Sequence, residues 1–459
     1  MLAQAGHQVT IGTPNQSPRR STALDIRPFS GGAMEELVRA HDITIAFGYL
    51  LREYPVIRKL APYLVMDIIG PFILESLHMY HELGIGDRVA IHQRAVDVML
   101  EQLEQADFMI CGSERQRDYW LGALTMANRI NPYTSDADVT LRSLIDVVPF
   151  GVPSTPPRPT RSAIKGMVPG IEATDVVVLW SGGIWNWFDP LTAIEAVAAL
   201  RDEAPALKLY FMGVEHPNPK NPRMAMARRA RERAGELAVL NRSVFFSDGW
   251  VPYEQRMDYL CDADIAISLH HEHAETRLAF RTRFLDYLWA NLPIVATAGD
   301  TLSDTAVAAG AGVAVPDGDI AVVAATLKQL ALEPNRRREM RERARTLAAD
   351  CTWERVARPL LTYCANPHRA ADAGRDDVRF PRLEGPGAFD LALAAYRHQG
   401  LPGVTRRGAR ILKRRAGTVQ ARLRGGMRLL RRSIEVWRAA GFRGVAQKAS
   451  ARLRRPTRT

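Results

Sequence analysis

Between Glu275 and Asp300 the chain reads ETRLAFRTRFLDYLWANLPIVATAGD, and here residue types and spacing most invite chemistry. Phe284, Leu285, Leu288 and Trp289 repeat at helical spacing, which predicts a helix with one apolar face that ends at Asn291-Leu292-Pro293. Arg281, Arg283 and Asp286 stand near its start. Cations crowded onto the positive end of a helix dipole are unfavourable unless an anion joins them, and a phosphate is the simplest such anion.

A second group lies upstream, in Trp180-Ser181-Gly182-Gly183-Ile184-Trp185-Asn186-Trp187-Phe188-Asp189-Pro190. A glycine pair where a strand ends lets a ligand come close to the backbone; a tight turn without ligand reads equally from the residues. Asp189 suits an N-cap with Pro190 at the first helical position. Trp180, Trp185 and Trp187 would either stack on a ring or line a domain interface. The loop around Trp250 could hold a base through backbone groups. His270-His271-Glu272-His273 lacks the regular spacing of a helical metal motif, so polar cleft-lining residues are expected there, and no metal. In the first half, Asp67 at the end of an apolar run suits either an acceptor hydroxyl or a helix cap, Glu75 follows it, and Glu114-Arg115-Gln116-Arg117 could line the same side.

The elements that must position these groups alternate between short apolar runs and helices. Runs at 8–11, 43–47, 63–69, 107–111 and 145–149, then at 175–180, 207–212, 243–247, 264–269, 294–297 and 312–315, suit strands of parallel sheets covered on both faces. Two doubly wound α/β domains facing across a cleft follow, with the Pro-rich stretch after Phe150-Gly151-Val152-Pro153 as linker. The expected boundaries are 1–153, a linker 154–170, a second domain 171–365, a connector 366–396 and a tail 397–459. Met1–Ala5 reads as the end of a helix capped by Gly6, so the first domain is expected to lack its first strand and loop.

A mean hydropathy of −0.16 and the absence of a long apolar run argue against a spanning helix, and Cys111, Cys261, Cys351 and Cys364 show no paired spacing. A reducing, cytoplasmic setting is expected. The net charge of +11 misleads, because residues 397–459 carry +18 and the remainder −7. In that tail Leu412, Ala416, Val419, Leu423, Met427, Leu430, Ile434 and Trp437 make one apolar stripe with arginines around it. Residues 405–459 are therefore expected to form a basic amphipathic helix at an anionic membrane surface, with no nucleic-acid partner.

Taken in order, VVPFGVP, LWSGGIWNW, FMG, SDGWVPYEQR and FRTRFLDYLWANLPIVATAGD resemble the family four retaining glycosyltransferases of the GT-B fold, over roughly residues 1–360. The likeness is greatest to a bacterial subgroup in polysaccharide and lipopolysaccharide synthesis. It implies sugar transfer with retention from a nucleotide-diphosphate donor to a glycan or lipid-linked acceptor, without metal or cofactor. LDYLWANLPIV aligns with the family's LEAMAxGxPVV, so the resemblance places Asp286 on the donor ribose. The family's preceding glutamate falls on Leu278, which leaves Glu275 to act at the donor sugar by another loop path. Gly299-Asp300 replaces a glycine pair near the phosphates. The family's Arg and Lys are replaced by Gly182-Gly183 and Asp189, so Arg277, Arg281 and Arg283 are the substitutes implied for the diphosphate. No general base is assigned, since the departing phosphate is thought to take the proton. The resemblance also admits an inactive glycosyltransferase-like membrane scaffold.

Overall fold

The computed structural model describes residues 1–17, 19–29, 32–213, 224–247 and 249–378; the tail expected to bind membranes lies outside these. Strands β1 (Thr10–Thr13) and β2 (Asp25–Pro28) form a parallel pair. β3 (Ile43–Phe47), β4 (Tyr63–Asp67), β5 (Phe108–Cys111) and β6 (Ile145–Val147) form a four-stranded parallel sheet in that order. The sheet is positioned by residues whose runs lack alternation: Leu64, Val65 and Met66 of β4 and all of β5 are buried. Helices 85–105 and 114–126 flank it, the second started by Ser113, whose side chain accepts from Gln116 N. At the start of the chain only a 3-10 turn, Ala3–Ala5, precedes β1, and Gly6 caps it at φ 91°, a conformation that favours glycine.

The second sheet holds β7 (Val176–Ser181), β8 (Leu207–Met212), β9 (Val244–Phe246), β10 (Ile265–Ser268), β11 (Ile294–Thr297) and β12 (Gly312–Val315), all parallel, in the order β12-β11-β10-β7-β8-β9. The order reverses between β7 and β10. That is where an open parallel sheet leaves a crevice at the carboxyl ends of its strands. One core cluster lies on each face, around Trp180, Phe211 and Ile267 on one and around Tyr287, Leu288 and Ala266 on the other.

After the second domain the chain returns to the first. Tyr363 of helix Arg358–Ala365 stacks on Phe108 with ring centroids 4.5 Å apart. The first residues of the expected flexible connector are instead packed: the buried Asp372 pairs with Arg129 at 2.8 Å, and Ala370 N donates to Asp107. A carboxylate and a guanidinium buried together must stay paired, which holds this segment down.

Candidate functional site

The segment that opened the sequence reading folds as two short helices, Ala274–Leu278 and Arg283–Trp289, rather than one. Phe284, Leu285, Leu288 and Trp289 are buried as their spacing requires, and Asn291 ends the second helix at φ 55°. Tyr287 locks this helix to the crevice: its hydroxyl donates to Ile267 O at 3.0 Å and accepts from Ser181 N at 2.9 Å, bridging the ends of β10 and β7.

A cavity of about 640 Å³ opens there, within the usual size of ligand sites. Gly182, Gly183, Trp185 and Trp187 line it from the loop after β7, and Gly182 adopts φ 78°. Glu275, Arg281, Arg283 and Asp286 line it from the two helices and their connection, with Trp250 from the loop after β9 and Arg256 from the start of the helix Arg256–Asp262. Asp67 and Glu75 face it from the first domain.

The two arginines differ. Arg281 is buried and paired twice, bidentate to Glu275 at 2.9 and 3.2 Å and with Nε 3.2 Å from Asp300 Oδ2. Arg283 donates to Gly183 O at 2.7 Å, lies over the Phe188 ring at 4.4 Å and over Trp180 at 5.1 Å, and has no carboxylate partner among the described residues. Its Nη1 is buried without a hydrogen-bond acceptor, and desolvation lowers the guanidinium to about 10. Arg277 is exposed and does not line the cavity.

The acids sort in the same way. Asp286 is raised by burial and accepts from Arg256 Nε at 3.2 Å through one oxygen. Burial and the neighbouring Glu275 raise Glu75 to about 7, and burial raises Asp67, whose Oδ1 accepts from Ile69 N. Asp300 is raised to about 6, chiefly by burial, with Arg281 opposing.

Three expectations need correction. Gly299 and Asp300 do not line the cavity, because Gly299 N donates to Asp304 and Asp300 caps helix Thr301–Ala308 through Leu302 N and Ser303 N. Glu114–Arg117 do not line the cavity either. Gln116 instead ties the domains together, its Nε2 donating to Ile69 O at 2.7 Å and Leu278 O at 2.8 Å, while Arg115 reaches Asp304. The histidines after β10 do not line the cavity: His270 is buried and pushed down to about 2 by desolvation, and His273 stacks on His78 of the first domain at 4.0 Å. Trp180 is core, whereas Trp185 and Trp187 stack on each other at the cavity wall. Asp189 caps its helix as its sequence context implies.

Sequence reading passes over Arg256 and Tyr287. Arg256 lies in the quoted SDGWVPYEQR, but only the folded chain brings it onto Asp286, 30 positions away. Among the described residues, Asp189, His271 and Asp317 are grouped closely enough to hold a metal ion, outside the cavity lining, with His271 and Asp317 already bonded to each other.

Residues 168–347 match the family described as glycosyl transferases group 1. No curated protein sequence matches the chain. Among solved structures, sucrose-phosphate synthase from Thermosynechococcus elongatus superposes with a TM-score of 0.56 at 16% identity, over 79% of this chain and 90% of that one. WaaG, a glycosyltransferase involved in lipopolysaccharide biosynthesis, gives 0.50 at 16% identity, over 81% and 92%. Anabaena Alr3699/HepE in complex with UDP and glucose gives 0.50 at 12% identity, over 75% and 86%. These identities speak for the shared fold alone. The parallel sheets and these superpositions together give the chain the GT-B fold, and its residues 168–347 match the group 1 glycosyl transferases.

Proposed function

We propose that the protein transfers a sugar, with retention and without a metal ion, from a nucleotide-diphosphate donor to a glycan or lipid-linked acceptor in polysaccharide biosynthesis. The observation that carries this is Arg283: a cavity cation with no carboxylate partner and a buried N–H without an acceptor, beside the Gly182-Gly183 turn at the sheet's switch point. An unsatisfied buried donor is costly, and a diphosphate oxygen would satisfy it. Asp286 has an oxygen left for a ribose hydroxyl while Arg256 holds the other. Glu275 lies within the same wall with its carboxylate held by Arg281, and in this reading it acts at the donor sugar.

In this reading the guanidinium of Arg283 offsets the charge that grows on the leaving diphosphate as the bond from the anomeric carbon breaks. The acceptor oxygen bonds to that carbon from the same face, and its proton passes to the departing phosphate. A bacterial enzyme held at the inner membrane face by residues 405–459 fits the charge of that segment. The structure of HepE with UDP and glucose lends support to a nucleotide-sugar donor. Titration of the full chain with UDP, GDP and dTDP by calorimetry tests the reading. If the folded protein binds none of them, the transferase reading fails and the inactive scaffold takes its place.

A further inference from the structure

Charge is segregated across the cavity. Its three basic lining residues, Arg256, Arg281 and Arg283, all belong to the second domain. Among the described residues the first-domain wall offers no lysine or arginine. It presents the carboxyls of Asp67 and Glu75 among the apolar Phe47, Ile69, Phe72 and Met79. Glu75 stands on helix Phe72–Met79, which packs against helix Ala274–Leu278 bearing Glu275, so a third carboxylate faces the same space.

Among the described residues neither first-domain acid has a basic partner within ion-pair distance, and no side chain hydrogen-bonds to Glu75. A half-buried carboxyl left in this way can still accept hydrogen bonds.

Resting on the reading of this cavity as the transfer site, we infer that the first-domain wall receives a neutral, hydroxyl-bearing saccharide terminus rather than a phosphate, with Glu75 accepting a hydrogen bond from an acceptor hydroxyl. A phosphorylated acceptor would bring its charge against Asp67 and Glu75 with no lysine or arginine on that wall, among the described residues, to offset it. The apolar side chains supply contact for the C–H faces of a pyranose. In the transfer, the bound hydroxyl's oxygen forms the new bond to the anomeric carbon as the bond to the diphosphate oxygen breaks. Its proton leaves with the diphosphate, and Glu75 orients the hydroxyl and returns unchanged.

Glu75 also gives the site a pH dependence. Burial, and after it Glu275, raises its carboxyl to about 7, with Arg281 opposing. The accepting, ionised form therefore grows as pH rises from 6 to 8.

The test uses the full chain saturated with whichever nucleoside diphosphate calorimetry shows to bind. Saturation-transfer NMR then compares a panel of methyl pyranosides with their 6-phosphates. Neutral glycosides should bind about tenfold more tightly than the phosphates, and more tightly at pH 8 than at pH 6. Glu75→Gln should weaken the neutral glycosides several-fold and abolish the pH dependence, while nucleotide affinity stays within about twofold. Glu75→Lys should shift preference toward the phosphates. Equal or better binding of the phosphates to the unaltered protein, no glycoside binding at all, or a Glu75→Gln protein that binds glycosides with the original pH dependence would overturn the inference. Absence of nucleotide binding, by contrast, is the failure of the transferase reading itself.

Discussion

The carboxylate of Glu275 holds the guanidinium of Arg281 in a bidentate pair at 2.9 and 3.2 Å, with Asp300 Oδ2 a further 3.2 Å from Nε. All three residues are buried. Two carboxylates around one guanidinium leave Arg281 little charge to offer a ligand, so the two arginines of FRTR divide into a structural one and a ligand-facing one.

Arg283→Ala should therefore weaken binding of a nucleoside diphosphate by about tenfold or more while changing binding of the nucleoside little. Arg281→Ala should act on the fold, since it strands two buried carboxylates at a cost of roughly 3 kcal/mol or more. Calorimetric titration with both ligands and thermal denaturation of the two variants separate these effects. Equal loss of affinity with unchanged melting would refute the division.

Asp286 is the carboxylate proposed for the ribose. Asp286→Asn should lose several-fold in affinity for a ribonucleoside diphosphate. The unaltered protein should also prefer it over its 2′-deoxy counterpart, and the variant should not. Competition binding with the two nucleotides checks this, and a variant that keeps the preference would move the ribose elsewhere.

Glu75 and Asp300 are both raised, from ordinary values of 4.5 and 3.8 to about 7 and about 6. Raised acids favour the folded state while protonated, so their contribution is fully present below the ordinary values and is lost as pH rises through the folded ones. Glu75→Gln should therefore leave the melting temperature nearly unchanged at pH 4 and raise it relative to the parent at pH 8. Melting curves across that range decide it.

Gln116 bonds both Ile69 O in the first domain and Leu278 O in the second. Gln116→Ala removes both bonds and should widen the cleft, which small-angle scattering would record as a larger radius of gyration. Nucleotide affinity should hold within a few-fold, because Arg283 and Asp286 lie wholly in the second domain. An unchanged radius would mean that the Arg115–Asp304 pair and the His78–His273 stack hold the cleft without it.

Much of the fold was legible residue by residue. The runs at 43–47, 207–212, 294–297 and 312–315 are the strands found, because continuous apolar residues between turn formers have no other place than a covered parallel sheet. Asp189-Pro190 was readable because a cap and its helix are neighbours in sequence. The site was legible only in part. Gly182, Gly183, Trp250, Arg281, Arg283, Asp286, Glu275 and Asp67 do line one cavity, whereas Gly299 and Asp300 are drawn away by bonds to Asp304, Leu302 and Ser303.

By itself the sequence determined the alternation of strands and helices, the burial of the Phe284–Trp289 face and the local caps, since each depends on contacts a few residues apart. The tertiary structure alone decided which charges are free. Arg281 and Arg283 are two positions apart and chemically identical, and nothing local distinguishes them. What does is the return of Asp300 onto Arg281 and of Phe188 and Gly183 onto Arg283, because whether a charge remains available to a ligand depends on long-range partners.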